Sequence, residues 1–284
     1  MASERVEATG IDRPPRGFRL VARYALLGAV TFVVLFPIYT MVIASLKPGN
    51  RVLVRPLVPD SFTLDAFRAA WTDGHLGRFL LNSAIVAVAV TLFQLVTSLL
   101  SAYAFAFLRF RGKRLVFAVF LATLLVPVEV TLVVNRRTVD QLGWINTYQG
   151  LAAPFLATAF GTFLLRQVFL QLPKDLRDAA RMDGLGHLGF LREVAVPLAR
   201  PTMAALVLFS FLSSWNQYLW PNLVTTETDM NTVQSGLRML RVAAINRPNL
   251  VWAGTIIAAL PIFVVLLVFQ KHLIRGLTAG AVKG

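Results

Sequence analysis

The sequence predicts an all-α membrane protein of six transmembrane helices, and three observations lead there. Only 15% of the 284 residues are charged, against about 25% in an average soluble domain, and mean hydropathy is +0.66. Six apolar runs alternate with the charged stretches, each near or beyond the roughly 20 residues that cross a ~30 Å hydrocarbon core. One long polar interval, 172–201, carries helical periodicity of its own. Barrel strands would instead alternate in polarity over about 10 residues.

In chain order, residues 1–23 are charged and contain Pro14 and Pro15, a tail ahead of the membrane domain that fills 24–284. Tyr24 to Leu46 is free of charge for 23 residues. That exceeds the ~7–15 of a signal-peptide core, and no A-x-A site follows, so it is a retained span. An amphipathic stretch, Leu64 to Trp71, precedes the second run, Phe79 to Leu108, which is long enough to tilt. The third, Leu115 to Val134, holds one charge, Glu129, and a proline, Pro127. The fourth covers 141–165, with its helix starting near Tyr148. Thr202 to Thr226 and Pro248 to Gln270 complete the six. Small-residue pairs, Ser83/Ala87 and Ala153/Ala157, suit close helix packing.

Charge sets the orientation. With both termini, 109–114 and 166–200 on one side, that side holds 18 Lys and Arg and the other holds 10. The richer side is expected to be cytoplasmic, which puts both termini and the polar interval inside. A net charge of +14 would point to nucleic acid in a soluble protein. Here the arginines lie between apolar runs, so lipid is the expected surroundings and no nucleic acid is expected. The absence of cysteine excludes a disulfide framework and a thiol nucleophile. His75, His187 and His272 are scattered, so no metal site is expected.

Within 172–201, Pro173 suits a first helical turn and Asp175 suits the positive helix end. Leu176, Ala179, Ala180 and Asp183 share one face, where two alanines leave room for another backbone. Gly184 is a helix stop, and a second apolar stretch, Leu188 to Val196, is closed off by Pro197 and Pro201. The pattern Asp178-Ala179-Ala180, Asp183-Gly184, Phe190, Pro197, Pro201 resembles the EAA loop of ABC importer permeases. Asp178 stands where that family usually has Glu, keeping the charge with one methylene less. The resemblance implies a coupling helix, with Asp178, Ala179, Ala180, Asp183 and Gly184 contacting the ATP-hydrolysing subunit.

Other residues suggest a solute path. Glu129 is the single acidic residue inside an apolar run, and ionisable groups at depth face cavities or partners; alternatively it sits at the outer interface, paired with Arg136 or Arg137. Asn216 and Gln217, within Trp215-Asn216-Gln217-Tyr218-Leu219-Trp220-Pro221, offer donors and acceptors suited to hydroxyls. The other reading of this stretch is interhelical hydrogen bonding with an aromatic belt. Asn82 and Gln94 are polar within the second run and suit interhelical contacts or the path. No catalytic residue emerges: Gly112-Lys113 lacks the upstream glycine and hydroxyl of a P-loop. Asp178, Arg181 and Asp183 lack the further aspartates of a lipid phosphotransferase.

Across most of the chain, Ser45-Leu46-Lys47, Asn82-Ser83, Ser101-Ala102-Tyr103-Ala104 and Asn146-Thr147-Tyr148-Gln149-Gly150-Leu151 follow the order of the carbohydrate-type permease family. Pro127-Val128-Glu129-Val130, Thr162-Phe163-Leu164-Leu165-Arg166-Gln167, Trp215–Pro221 and Arg275-Gly276-Leu277 resemble the branch of second permease subunits of sn-glycerol-3-phosphate importers. Asn135-Arg136-Arg137 is more basic than that branch's outer loop. The resemblance implies a second permease subunit, a dimer of ATP-binding subunits holding ATP and Mg, and an extracytoplasmic binding protein. It also implies a bacterial inner-membrane location and a solute that is glycerol-3-phosphate, a glycerophosphodiester, or a sugar or disaccharide. A partner-independent carrier or channel is the alternative outside this family, though one intramembrane carboxylate is thin for ion coupling.

Overall fold

A computed structural model describes residues 17–49, 52, 57–58, 61–244 and 247–278; the expected tail therefore lies largely outside the described residues. Among the described residues the regular structure is helical, with no strand. The helices are α1 (Gly17–Leu46), α2 (Asp65–Thr72), α3 (Leu76–Phe107), α4 (Lys113–Ala122), α5 (Val128–Gln141), α6 (Tyr148–Ala152) and α7 (Ala159–Leu170). They continue as α8 (Lys174–Met182), α9 (His187–Phe190), α10 (Val196–Trp215), α11 (Leu219–Val224), α12 (Val233–Ala243) and α13 (Pro248–Thr278).

Four stretches are long and apolar enough to cross a membrane unbroken: Arg19–Leu46, Leu76–Phe107, His187–Trp215 and Pro248–Gln270. Two more crossings form only if bent pairs are counted as one each: Lys113–Leu125 with Val128–Gln141, bent by 99°, and Tyr148–Phe155 with Ala159–Leu170, bent by 46°. The third apolar run is thus not a single helix. Pro127 has no N–H and pushes the residue before it out of the helical region; Val126 is extended, with φ −84 and ψ 116. The fourth starts at Tyr148 as expected, capped by Thr147, whose Oγ1 accepts from Gly150 N at 3.1 Å. It then breaks after a 3₁₀ turn at Ala153–Phe155, so Ala153 and Ala157 do not share a helix face.

The fifth run differs most from expectation. Pro197 and Pro201 do not close a helix off. A π turn at Leu191–Ala195 joins α9 to α10, and the helix runs through both prolines to Trp215. A π turn shifts the hydrogen-bond register, so Pro197 falls in the first turn of α10, where a missing N–H costs little. The interval 187–201 is therefore the start of a span rather than a separate short helix.

The spine is α3, which packs along α7 and α10. Its early turns share buried clusters with Trp215, Val233 and Leu250, and with Leu132, Leu151 and Trp220. Its last turns bury Ala102 and Tyr103 against Phe169, Ala180, Phe190 and Ala199. Ser83 and Ala87 are both buried, as their size suggested. By contrast α1 packs along α13 and leaves Leu27, Phe32 and Val33 exposed, as fits an apolar solvent. Where α3, α7 and α10 meet, Gly161 removes a side chain: an added Cβ would meet Ser98 Oγ and lie 2.9 Å from Leu206 Cδ1. Gly161→Val is expected to destabilise the bundle by about 1–3 kcal/mol through overpacking, read as a lowered thermal midpoint in detergent, with Gly161→Ala milder.

Candidate functional site

The polar interval folds as a capped helix on the end of the bundle where α3 finishes. Pro173 is the N-cap of α8 and Asp175 lies in its first turn. At the other end Gly184 has φ +77, its N–H reaches Arg181 O at 3.0 Å, and Leu185 N–H reaches Ala180 O at 2.8 Å. This paired closure, with glycine in the left-handed region, satisfies the last carbonyls of the helix. Asp178, Ala179, Asp183 and Gly184 are exposed. Asp178 and Arg181 approach to 3.8 Å on the surface, a contact worth at most about 1 kcal/mol.

Ala180 is the exception among the five residues expected to face a partner. It is 4% exposed and packs into the cluster of Tyr103, Phe169 and Phe190. One face of α8 cannot be free along its whole width, because the helix lies on the bundle. The small side chain at 180 is taken up by this chain's own cluster, which includes Tyr103 of α3 and Phe190 of α9. Two residues that the periodicity did not single out stand free instead: Met182 is 88% exposed and Leu188 76% exposed. Met182 adjoins Asp183 in sequence, and Leu188 follows the glycine turn at the start of α9.

Most of the solute-path candidates serve the backbone. Asn82 is fully buried; its Nδ2 donates to Asp229 O at 2.7 Å and Asn231 O at 2.9 Å, and its Oδ1 accepts from Tyr148 Oη at 2.8 Å. It therefore ties α3 to α6 and to the 3₁₀ turn at Thr228–Met230. Gln94 donates through Nε2 to Phe155 O at 2.7 Å, and Thr97 Oγ1 donates to Leu156 O at 3.2 Å. Together they supply the carbonyls freed where α6 and α7 break apart. Asn216 lies past the end of α10, not inside a span, and its Nδ2 returns to Leu212 O at 2.9 Å.

Both tryptophans flanking Asn216 and Gln217 are buried rather than arrayed as a belt. Trp215 Nε1 donates to Ala258 O at 3.2 Å, and Trp220 Nε1 donates to Gly150 O at 3.0 Å. Glu129 is exposed in the first turn of α5, where the helix dipole favours a carboxylate. The expected pairing with Arg136 or Arg137 does not form among the described residues; Arg136 Nε donates to Leu223 O at 2.9 Å. Of the path candidates, Glu129 and Gln217 alone have side chains without a hydrogen-bond or ion-pair partner among the described residues. Sequence reasoning missed the role of Asn146, which has φ 57 and joins two loops: its Oδ1 accepts from Thr226 N at 2.7 Å and Glu227 N at 3.2 Å. It also missed that Lys47 is fully buried, with its carbonyl accepting from Asn249 Nδ2 at 2.9 Å.

Residues 94–279 match the family model described as a binding-protein-dependent transport system inner membrane component. The chain belongs to that family. Its curated relatives include the sn-glycerol-3-phosphate transport system permease protein UgpE of Brucella abortus strain 2308, 37% identical over 86% of this chain and 91% of that protein. The protein of the same name from Yersinia pestis bv. Antiqua strain Antiqua is 34% identical over 92% and 96%. That from Agrobacterium fabrum is 37% identical over 91% and 95%. Among solved structures, a bacterial ABC transporter involved in import of the acidic polysaccharide alginate matches with TM-score 0.81 at 24% identity, over 92% of this chain and 99% of that one. A bacterial alginate ABC transporter in complex with an alginate pentasaccharide-bound periplasmic protein matches with TM-score 0.64 at 14% identity, over 90% and 96%. These structures share the fold. The family places the chain as a multi-pass inner-membrane permease.

In a permease of this build, Asn82 belongs to the frame. Asn82→Ala removes the side-chain donor to Asn231 O and the acceptor of Tyr148 Oη, while Asp229 O keeps Arg78 Nε at 3.3 Å. It is expected to cost about 1–3 kcal/mol, read as a lowered thermal midpoint and reduced membrane abundance. Asn82→Asp should be worse, since a carboxylate would face two carbonyl oxygens. A variant with normal abundance but altered solute affinity would return Asn82 to the path.

Proposed function

We propose that the chain is one of two permease subunits in an ATP-driven, binding-protein-dependent importer of glycerol-3-phosphate or a related glycerophosphodiester. The observation that carries this is identity of 34–37% to sn-glycerol-3-phosphate permeases over 86–92% of the chain. The expected partners are a second permease, two ATP-binding subunits that hold ATP and Mg, and an extracytoplasmic binding protein. Both termini and 172–201 face the cytoplasm in this reading, supported by 18 basic residues against 10.

Asp178, Ala179, Asp183 and Gly184, with Met182 and Leu188, form the surface offered to the ATPase; Ala180 holds α8 against the bundle from behind. Approach of the two ATPases on binding ATP draws the two α8 helices together. That shifts a two-state equilibrium from an inward-open to an outward-open arrangement by differential binding. Glu129 and Gln217 are assigned to the solute path. Counted from Lys113, the helical stretch to Leu125 rises roughly 21 Å, short of the ~30 Å core. An exposed carboxylate just beyond it at that level belongs in a wet cleft or against a partner, not in lipid.

Reconstituted with its partners, the complex is expected to accumulate labelled glycerol-3-phosphate or a glycerophosphodiester only with ATP and binding protein. Uptake of a disaccharide alone would overturn the solute, and flux without ATP would overturn the importer. At position 184 the added side chain meets no atom within 4 Å, so backbone strain decides the outcome. Gly184→Val should uncouple ATP hydrolysis from uptake, because a β-branched residue resists φ +77. Gly184→Asn, which tolerates that region, should keep most of the transport. Equal uptake by Gly184→Val and the parent complex would sink this role.

A further inference from the structure

Behind α8, on the flank turned towards the bundle, a cleft of about 200 Å³ opens between the end of α3, α8 and the start of α9, smaller than the pockets that hold drug-sized ligands and of a size for a single small oxyanion. Tyr103, Arg177, Arg181 and His187 line it, and a neighbouring cleft shares the last three and adds Arg109. No acidic side chain lines either cleft; the nearest compensation is Asp178, 3.8 Å from Arg181 on the surface. Tyr103 Oη and His187 Nδ1 lie 2.9 Å apart. Arg177 Nε is buried and has no acceptor among the described residues. A buried donor left unmade is costly, more so on a charged group, and a guanidinium fork matches phosphate oxygens two at a time. The apolar lining of the first cleft is Ala180, Leu185 and Phe190, and Phe107, Leu108 and Phe110 wall the adjoining one that shares Arg177 and Arg181 with it.

We propose that this cleft binds a phosphate oxyanion, with Arg177 at its floor and Arg109 and Arg181 at its mouth. The apolar wall suits the headgroup of an anionic phospholipid; free phosphate offers the same oxygens without the tails. A carboxylate of the ATPase is a poorer fit, because Arg177 Nε is buried on the bundle side of α8 while Asp178, Ala179, Met182 and Asp183 face away. Since the lining comes from α3, α8 and α9 together, an occupant fastens the coupling helix to the spine of the permease.

The test uses the assembled complex in two arms. In nanodiscs of phosphatidylcholine with phosphatidylglycerol, native mass spectrometry counts the phosphatidylglycerol retained after extraction. Arg177→Gln should retain at least one molecule fewer than the parent, Arg177→Lys should keep part of it, and Arg114→Gln, outside the cleft, should match the parent. In phosphatidylcholine alone, equilibrium dialysis of labelled inorganic phosphate against the nucleotide-free complex should show at least a threefold loss of affinity in Arg177→Gln if the source is free phosphate. A loss dependent on Arg177 in either arm supports the site and names the source. Equal binding by parent and Arg177→Gln in both arms overturns it. So does loss of the ATP-binding subunit from Arg177→Gln with lipid retention unchanged, which assigns Arg177 to a protein carboxylate. Neither arm reads solute transport, so a wrong solute would leave both results standing.

Discussion

A helix broken inside an apolar slab exposes carbonyls and N–H groups that neither water nor lipid can satisfy, and most of the polar chemistry in this protein answers that constraint. The chain breaks at 126–127, at 156–158 and at 216–218. At the second break Gln94 and Thr97 reach across from α3 to Phe155 and Leu156. The third lies past the end of the span, and there the Asn216 side chain returns to Leu212 O, which also accepts from Asn216 N–H. Asn82, Trp215 and Trp220 likewise donate to carbonyls of other elements. The unbroken α3 is the scaffold from which several of these donors project, and so the bent pairs can exist at all.

That constraint also explains how far the sequence could be read. Run length alone marks apolar spans, and it identified α1, α3 and α13 well. Position 184 was legible because a glycine after an amphipathic turn has few other uses, and its φ of +77 agrees. A kink or helix end was expected at Pro127, and the break there is sharp, 99°; the fifth run was misjudged. Composition cannot register that Pro127 breaks a helix through 99° while Pro197 and Pro201 leave one intact. The π turn at Leu191–Ala195 accommodates Pro197 by a backbone register with no residue signature, whereas Pro201, like Pro37 and Pro261, lies inside a helix that stays intact.

Asn82 and Gln94 make the contacts between elements that one of their two readings expected, and Asn216 returns to its own helix; an amide suits either role because it carries donors and an acceptor on a short arm. The partners of Asn82 and Gln94 lie far off along the chain, 147 residues away for Asn82 and Asp229 and 61 for Gln94 and Phe155, so periodicity could not reveal them. Ala180 shows the same limit at one residue's resolution. The helix face was visible in the spacing, but which flank the bundle would cover depended on Tyr103 and Phe190. The cleft at Arg177 was hidden likewise, since Tyr103 and His187 stand 84 positions apart.

Because the π turn splices α9 onto α10, the residue that follows the capped glycine turn and the residue that ends the span belong to one rod of 29 residues, His187–Trp215. Such a rod is roughly 43 Å long. Rocking it by about 10° around its middle would sweep each tip through roughly 4 Å. The π turn at Leu191–Ala195 and the prolines at 197 and 201 lie in its first half, and helices bend at such places. How much of a push on Leu188 reaches Asn216 and Gln217 therefore depends on the stiffness of that half of the rod.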